Sequence, residues 1–325
     1  MSDLIKIQAQ DLLRQIREFQ GSSLKTGLIP LIVIIGPTAS GKTAVAIALA
    51  QLLSGEIVSA DSRQIYRQMD IGTAKATTLE QSIAKHYLID IADPDQTISL
   101  SEYQKQATAT IKKIHRSGLQ PILAGGTGLY ISAITQNYQL PDSKPDLKLR
   151  QRYEEYAKIH GTEALHQKLQ ALDPVSAARI HPNNLRYVIR ALEIVEQTSQ
   201  PKADQRAPSD FATFFITVDW PRDQLYQRIN QRIDHQMEQG LLEETRQLLS
   251  RYPATLPSLS SLGYQELGQF LRGEIPLEKA LEDFKQNTRN FAKRQLTWFR
   301  KYRHVYSIDG ATLSDFIAEL AKLKL

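Results

Sequence analysis

The chain has 325 residues, 42% of them apolar, and a formal charge of +5 from 40 basic and 35 acidic side chains. That apolar share supports a packed core and excludes wholesale disorder, and the length predicts one large or two modest domains. Cysteine is absent, which excludes disulfides and cysteine-bound metal and fits a reducing cytosol, while the mild basic excess is compatible with a nucleic-acid partner.

Residues 1–27 read as an N-terminal extension. Leu12, Ile16 and Phe19 give it a short helical spacing that Gly21, Ser22 and Ser23 are expected to end. Asp3, Asp11 and Glu18 interrupt its apolar residues, unlike a signal peptide, and no apolar run long enough to span a membrane follows. A soluble, cytoplasmic chain is expected. From Leu28 the pattern alternates. LIVII (31–35) is a continuous apolar run, as in a strand covered on both faces. AVAIALAQLL (44–53) favours a helix, EIVSADS (56–62) a second strand reaching Asp61, and HYLIDI (86–91) a third. YQKQATATIKKIHRSG (103–118) reads as a helix closed by Gly118, and QPILAGGTGLY (120–130) as a strand entering a glycine-rich turn. Strand and helix in alternation predict an α/β fold, a parallel sheet with helices on both faces.

The pattern changes at LPDSKPD (140–146). Beyond it the chain reads as almost wholly helical to residue 197, with breaks at Gly161, Asp173-Pro174 and 181–184, before the polar connector TSQPKADQRAP (198–208). FATFFITVDW (211–220) restores strand character, and helices follow apart from VYSID (305–309). The expected division is an extension at 1–27, a core at 28–142, a helical insertion at 143–207 and a return to the core at 208–325.

GPTASGKT (36–43), set between strand and helix, fits the phosphate-gripping loop. This makes the expected core P-loop NTPase-like. Gly36, Pro37, Thr38, Ala39, Ser40, Gly41, Lys42 and Thr43 would surround a di- or triphosphate, ATP-type nucleotides among the class. Backbone N–H groups and the helix N-terminus face the anion, Lys42 adds charge, and the Thr43 hydroxyl suits Mg²⁺. The loop does not fix the reaction. Asp61 suits either a metal-holding acid or a catalytic base. Arg228 and Arg232 stand four apart beside the stripe Leu225, Ile229, Ile233 and Met237, so both lie on one face of a helix. Residues 288–306 hold six Lys/Arg, no acid and interleaved aromatics. Arg289, Lys293 and Arg294 are the expected phosphate contacts, with Phe291 and Trp298 on the helix's apolar face. His86, His160, His166, His181 and His235 show no ligand-like pairing and are given no metal role.

GPTASGKT, SADSRQIYRQMDIGTAK (59–75), HYLIDIADPDQTIS (86–99), ILAGGTGLY (122–130), LDPVSAARIHPNNLRYVIRALEI (172–194), LYQRINQRIDHQMEQGLLEE (225–244), SLGYQEL (261–267) and AKRQLTWFR (292–300), in this order, closely resemble the tRNA dimethylallyltransferases. The resemblance spans roughly residues 28–305, and the absence of a C-terminal Cys/His finger resembles the bacterial form. It implies transfer of a dimethylallyl group from dimethylallyl diphosphate to N6 of the adenosine 3′ to the anticodon, with Mg²⁺, by a monomer. It implies Asp61 as general base, and Ser62, Arg63 and Gln64 as a loop holding the target base. Thr127 would sit beside the reacting centre, in a turn where Gly128 is smaller than the family's common residue. An arginine would clamp the diphosphate, with Arg228 favoured over Arg232. The helical insertion would be a tRNA-binding domain gripping the anticodon stem-loop through Lys148, Arg150, Arg186 and Arg190.

Two other readings of the loop remain in view. A small-molecule or nucleotide kinase would use Asp61 on a substrate hydroxyl and Arg228 and Arg232 as lid arginines. A P-loop RNA-binding ATPase would suit the basic C-terminal stretch, although no second strand-end acid is clearly placed to activate water.

Overall fold

The structure is a computed structural model that describes residues 2–140, 146–198 and 207–323. The chain forms two compact units, one of Met1–Ile98, Tyr103–Thr135 and Ser209–Leu325, the other of Ser99–Glu102 and Gln136–Pro208.

The larger unit begins with α1 (Ser2–Lys25), a helix of 24 residues. Its Ile5, Ala9, Leu12 and Ile16 repeat on one face and are fully or almost fully buried. The helix does not stop at the Gly-Ser-Ser segment. The hydroxyls of Ser22 and Ser23 both donate to the carbonyl of Phe19, so the segment stays wound until Gly27 takes a positive φ of 72°. The extension is thus an integral layer of the core. β1 (Ile29–Ile35) follows and is buried on both faces, then α2 (Lys42–Leu52) and β2 (Gly55–Ser59). After α3 (Thr78–Ile83) comes β3, only His86–Tyr87. The longer strand expected at 86–91 ends there because Leu88 and Asp90 adopt positive φ, 61° and 54°. α4 (Leu100–Arg116), β4 (Gln120–Ala124) and α5 (Gly128–Thr135) complete the first half.

The smaller unit contains α6 (Leu147–His160), α7 (Thr162–Leu172), α8 (Pro174–Ala177) and α9 (Leu185–Thr198). Gly161 separates α6 from α7, and Asp173 caps α8 by accepting from the Ser176 N–H. Leu149, Tyr153, Leu165, Leu169, Val188 and Leu192 form its core. Within it, the fully buried Glu193 accepts a two-pronged contact from Arg150 (2.9 and 2.8 Å), a bond from Arg190 and one from the Asp146 N–H. Burial would raise this carboxyl's pKa, but the bonds from Arg150, Arg190 and Asp146 outweigh it and hold the group below the usual range. The boundary segment 141–145 and the connector 199–206 lie outside the described residues.

The chain re-enters the larger unit with β5 (Phe211–Asp219), followed by α10 (Arg222–Glu238), α11 (Leu241–Arg251), α12 (Tyr264–Leu271), α13 (Leu277–Phe299), β6 (Val305–Asp309), a 3₁₀ turn at Gly310–Thr312 and α14 (Leu313–Lys322). The six strands lie in the order β3-β2-β4-β1-β5-β6, every pairing parallel. Ile32 and Ile34 of β1 pack with α1, α2 and α14 in one cluster. A second cluster joins Ile65, Tyr66 and Met69 to the stripe Leu225, Ile229 and Ile233 of α10 and to Phe284 and Ala292 of α13.

Because Leu12 is completely buried between α1 and this core, Leu12→Ala should lower stability by roughly 2–5 kcal/mol. Urea unfolding measures this; an unchanged midpoint would show that α1 is not an integral layer.

Candidate functional site

In a parallel sheet all strands end at the same edge, so loops following neighbouring strands meet. Here the register makes the meeting close. Ser59 of β2 pairs with Ala124 of β4, and Ala124 pairs with Ile34 of β1. Two residues beyond that row lie Asp61, Gly126 and Gly36. Three separate motifs therefore converge on one point of the sheet edge.

The glycine loop leaves β1 at Gly36 (φ 145°) and enters α2 after Gly41 (φ 96°), while Ala39 also holds a positive φ of 63°. A Cβ on Gly41 would fall 2.4 Å from Leu313 Cδ2, so both its backbone angle and its space call for glycine. Lys42 folds back over the loop and its Nζ donates to the Pro37 carbonyl at 2.6 Å. Burial, and secondarily the Arg232 charge, push its pKa down to about 8, with Asp61 acting in the opposite direction. Arg232 donates to Thr38 Oγ1 at 3.0 Å, and burial lowers its pKa as well. Ser40 Oγ is buried with no protein partner, an unused donor within the turn. Confined positive charge and an unspent hydroxyl describe a site for a polyanion.

Asp61 follows β2. Its Oδ1 accepts from the Arg63 N–H at 2.9 Å, which turns the chain sharply. Thr127 Oγ1 accepts from the Ser62 N–H at 2.9 Å, and the Thr127 N–H donates to the Ala60 carbonyl at 3.0 Å. The loops after β2 and β4 are therefore laced together beside Asp61. A Cβ on Gly125 would fall 2.2 Å from the Ala60 carbonyl oxygen, so this lacing requires a bare backbone. Gln64 spans the floor of the site, its amide donating to the Thr73 and Ala74 carbonyls and accepting from the Ser59 hydroxyl at 3.1 Å. Arg63 donates to the Pro257 carbonyl at 2.8 Å.

Two cavities meet here. The smaller, about 90 Å³, is lined by Lys42, Thr43, Ser59 and Gln64; the larger, about 630 Å³, by Ser62, Arg63, Thr127, Ile229, Ile233 and Phe284. Thr38, Asp61, Thr73, Gly126, Arg232 and Phe291 line both, so Phe291 faces the site and not only the apolar face expected of it. Asp61 is the only carboxylate among the described residues lining the smaller cavity. One chamber thus suits a compact anion, the other a larger and partly apolar guest, with Asp61 and Arg232 at the wall between them. Arg232, not the favoured Arg228, occupies that wall. Arg228 instead donates to the Ala39 carbonyl at 3.0 Å and lies 4.2 Å from the Trp220 ring centre, shaping the loop from behind.

The remaining expected contacts separate. Arg150 and Arg190 are committed to Glu193 inside the smaller unit, whereas Lys148 and Arg186 are exposed there. In α13, Arg289 is tied to Asn230 and Gln286, 2.8 Å each. Lys293 and Arg294 line a groove, Arg294 also lining the larger cavity. No group of three or more His, Cys, Asp or Glu suited to a metal occurs among the described residues.

Several positioning residues escaped the sequence reading. Gln295 of α13, 6% exposed, accepts from the Thr38 N–H at 2.8 Å and donates to the Gly126 carbonyl at 2.9 Å. Its signal is a glutamine on the buried stripe Phe284, Thr288, Ala292, Phe299. Trp220 donates to the Ser40 carbonyl at 3.0 Å. Glu244 accepts from the N–H groups of Asp70, Ile71 and Gly72 and from the Tyr264 hydroxyl. Lys75, its side chain 3% exposed, joins Asp70, Asp90 and the Tyr66 carbonyl. The last two fix the segment that presents Thr73 to both cavities.

The IPP transferase family matches residues 64–302. The tRNA dimethylallyltransferase of Herpetosiphon aurantiacus is 46% identical over 298 residues, 90% of this chain and 94% of its own length. Among solved structures, the full-length tRNA isopentenylpyrophosphate transferase of Bacillus halodurans superposes with a TM-score of 0.64 at 41% identity, covering 90% of this chain and 98% of that one. A eukaryotic dimethylallyltransferase acting on tRNA reaches 0.73 at 26% identity, covering 90% and 77%.

Two expectations follow from the cradle. Lys42 can hold an anion by charge only as the ammonium, and burial lowers its pKa to about 8. The ratio of wild-type to Lys42→Met affinity for diphosphate should therefore be constant below that value and fall about tenfold per pH unit above it, the ligand's own ionisation cancelling in the ratio. Calorimetric titration of both proteins with inorganic diphosphate from pH 6 to 9.5 measures it; a ratio independent of pH would remove the Lys42 charge from the role. Gln295→Leu orphans the Thr38 N–H and the Gly126 carbonyl, so it should weaken diphosphate binding by roughly 5- to 100-fold. Unchanged affinity would remove Gln295 from the role.

Proposed function

This chain belongs to the IPP transferase family, and from that premise we propose that it transfers a dimethylallyl group from dimethylallyl diphosphate to N6 of the adenosine 3′-adjacent to the anticodon in tRNA, releasing diphosphate. The observation that carries this reading is the position of Asp61, in the wall shared by the anion chamber and the larger cavity.

The reaction follows from the arrangement. The diphosphate end of the donor sits among the loop amides, Lys42 and Arg232, with its allylic carbon at the shared wall. The adenine leaves its stack and enters the larger cavity. Its exocyclic amine is a poor nucleophile because the lone pair is delocalised into the ring. As the C–N bond forms and the C–O bond of the donor breaks, Asp61 accepts the N6 proton. The departing diphosphate gains charge, and donors already aimed at it lower the barrier without reorganising. Thr127 keeps the Ser62 backbone, and with it Asp61, in place.

Mg²⁺ fits as a cofactor. Thr43 lines the smaller cavity, and this cation is commonly held by one or two protein ligands, phosphate oxygens and water, with no carboxylate cage. When bound it would neutralise charge on the leaving group. Lys148 and Arg186 of the helical insertion and Lys293 and Arg294 of α13 are the proposed contacts to the anticodon stem-loop. The working form proposed is a cytoplasmic monomer.

Incubation with labelled dimethylallyl diphosphate, Mg²⁺ and unmodified tRNA, followed by nucleoside mass spectrometry, tests the reading. Prenylated adenosine should form only when the anticodon-flanking adenosine is intact. Preferential binding of ATP over the prenyl donor would favour a kinase. Asp61→Asn should bind both substrates yet lose ~10² to 10⁴ in single-turnover rate, and an unchanged rate would remove Asp61 as the base.

A further inference from the structure

The outward stripe of α13 does not end at the cavity. Asn290, Lys293, Arg294, Thr297, Trp298 and Lys301 line a second groove of about 650 Å³. The spacing of three, one, three and one residues keeps Asn290 to Trp298 on one face of α13, and Lys301 follows in the turn just past its end. Asn290, Arg294 and Trp298 also line the larger cavity, so groove and cavity are continuous. Any polymer that delivers one unit into the cavity must leave its neighbouring units at this mouth.

The groove has the chemistry of a single-stranded nucleic-acid path. Three of its six residues are cationic, and residues 288–306 contain no acid to offset them. At its centre Trp298 is 39% exposed, against the expectation that it packs into the apolar face. It is held in that position. Its Nε1 donates to Ser132 Oγ at 3.3 Å, and Lys301 Nζ, 4.2 Å from the ring centre, donates to the same oxygen at 2.8 Å. The indole also lies so close to Gly128 that a Cβ there would fall 2.2 Å from Trp298 Cδ1. Glycine at this position is what admits the ring.

We propose that Trp298 is a stacking platform for the base that flanks the target adenosine, and that Lys293, Arg294 and Lys301 hold the adjoining phosphates. This rests on the reading of the chain as a tRNA prenyl transferase and adds a positioning contact to it. An aromatic face accepts any base, so the contact fixes the strand and helps hold the target nucleotide out of its stack, without reading sequence. The cations supply a salt-dependent, sequence-independent grip.

The test uses an anticodon stem-loop RNA hairpin and the full chain. Trp298→Leu keeps apolar volume without a π-face and should raise the hairpin Kd roughly 5- to 100-fold, while Trp298→Phe keeps most of the affinity. KM for dimethylallyl diphosphate should not move with either. The nucleotides on each side of the target are replaced in turn by an abasic residue. At one of the two positions the wild-type and Trp298→Leu affinities should become equal, because the stacking partner is gone from both sides. A wild-type protein indifferent to both abasic sites, or a Leu variant with unchanged hairpin Kd, overturns the proposal. So does an abasic penalty of the same size in wild type and variant. The abasic series on the wild type does not depend on how well the variants fold. If wild type neither binds nor prenylates the hairpin, the functional reading itself fails, and this proposal with it. Normal prenylation with indifference to Trp298 sinks this proposal alone.

Discussion

The site depends on one constraint, the shared register of three parallel strands. Ile34, Ala124 and Ser59 stand side by side, so the three loops that leave β1, β4 and β2 have nowhere to go but toward one another. Hydrogen bonds alone would hold such loops weakly, since each is worth about 1 kcal/mol net. The sheet supplies the placement, and the bonds among Ala60, Ser62 and Thr127 only refine it. Gln295 then closes the arrangement from above, touching the glycine loop with one end of its amide and the Gly126 turn with the other. A helix far along the sequence thereby fixes the distance between the anion cradle and the loop that carries Thr127.

Electrostatics divide the labour between two arginines of one helix. Arg232 is directed at the wall between the chambers, where burial and its nearness to Lys42 make an anion welcome. Arg228, one turn earlier, grips the outside of the loop through the Ala39 carbonyl and the Trp220 face. Both bond to the loop in which Ala39 holds a positive φ, a backbone state that a non-glycine residue keeps only when its surroundings impose it.

Much of the core was legible because its signals are local. The LIVII run, the glycine loop and the following Ala/Leu-rich helix each state their structure within a dozen residues, and the breaks at Gly161 and Asp173-Pro174 do the same for the insertion. What the sequence could not show is tertiary pairing. Arg150 looks like a solvent-facing cation until folding brings Glu193, 43 residues away, against it, where Arg190 already reaches the same carboxylate from three positions earlier on its own helix. Arg289 is likewise claimed by Asn230 on another helix. The extension was underread for a related reason. Its apolar face is plain in the sequence, but the layer it covers, including Phe316 and Leu320 at the opposite end of the chain, is not. Between Arg228 and Arg232 helical periodicity offers no choice, because both share a face; only the position of the loop beneath them decides.

The small size and buried cations of the anion chamber have a consequence for turnover. A cradle shaped to favour the departing diphosphate favours the released product by the same contacts, and the product carries more charge than the ester it came from. Retention is therefore the natural failing of this design. Escape requires water and bulk cations to reach Lys42 and Arg232, and in the proposed reaction the wall that carries Arg232 would be covered from the larger chamber for as long as the modified base stays in place. In the proposed reaction, departure of the RNA would uncover that wall and open a route for a second cycle.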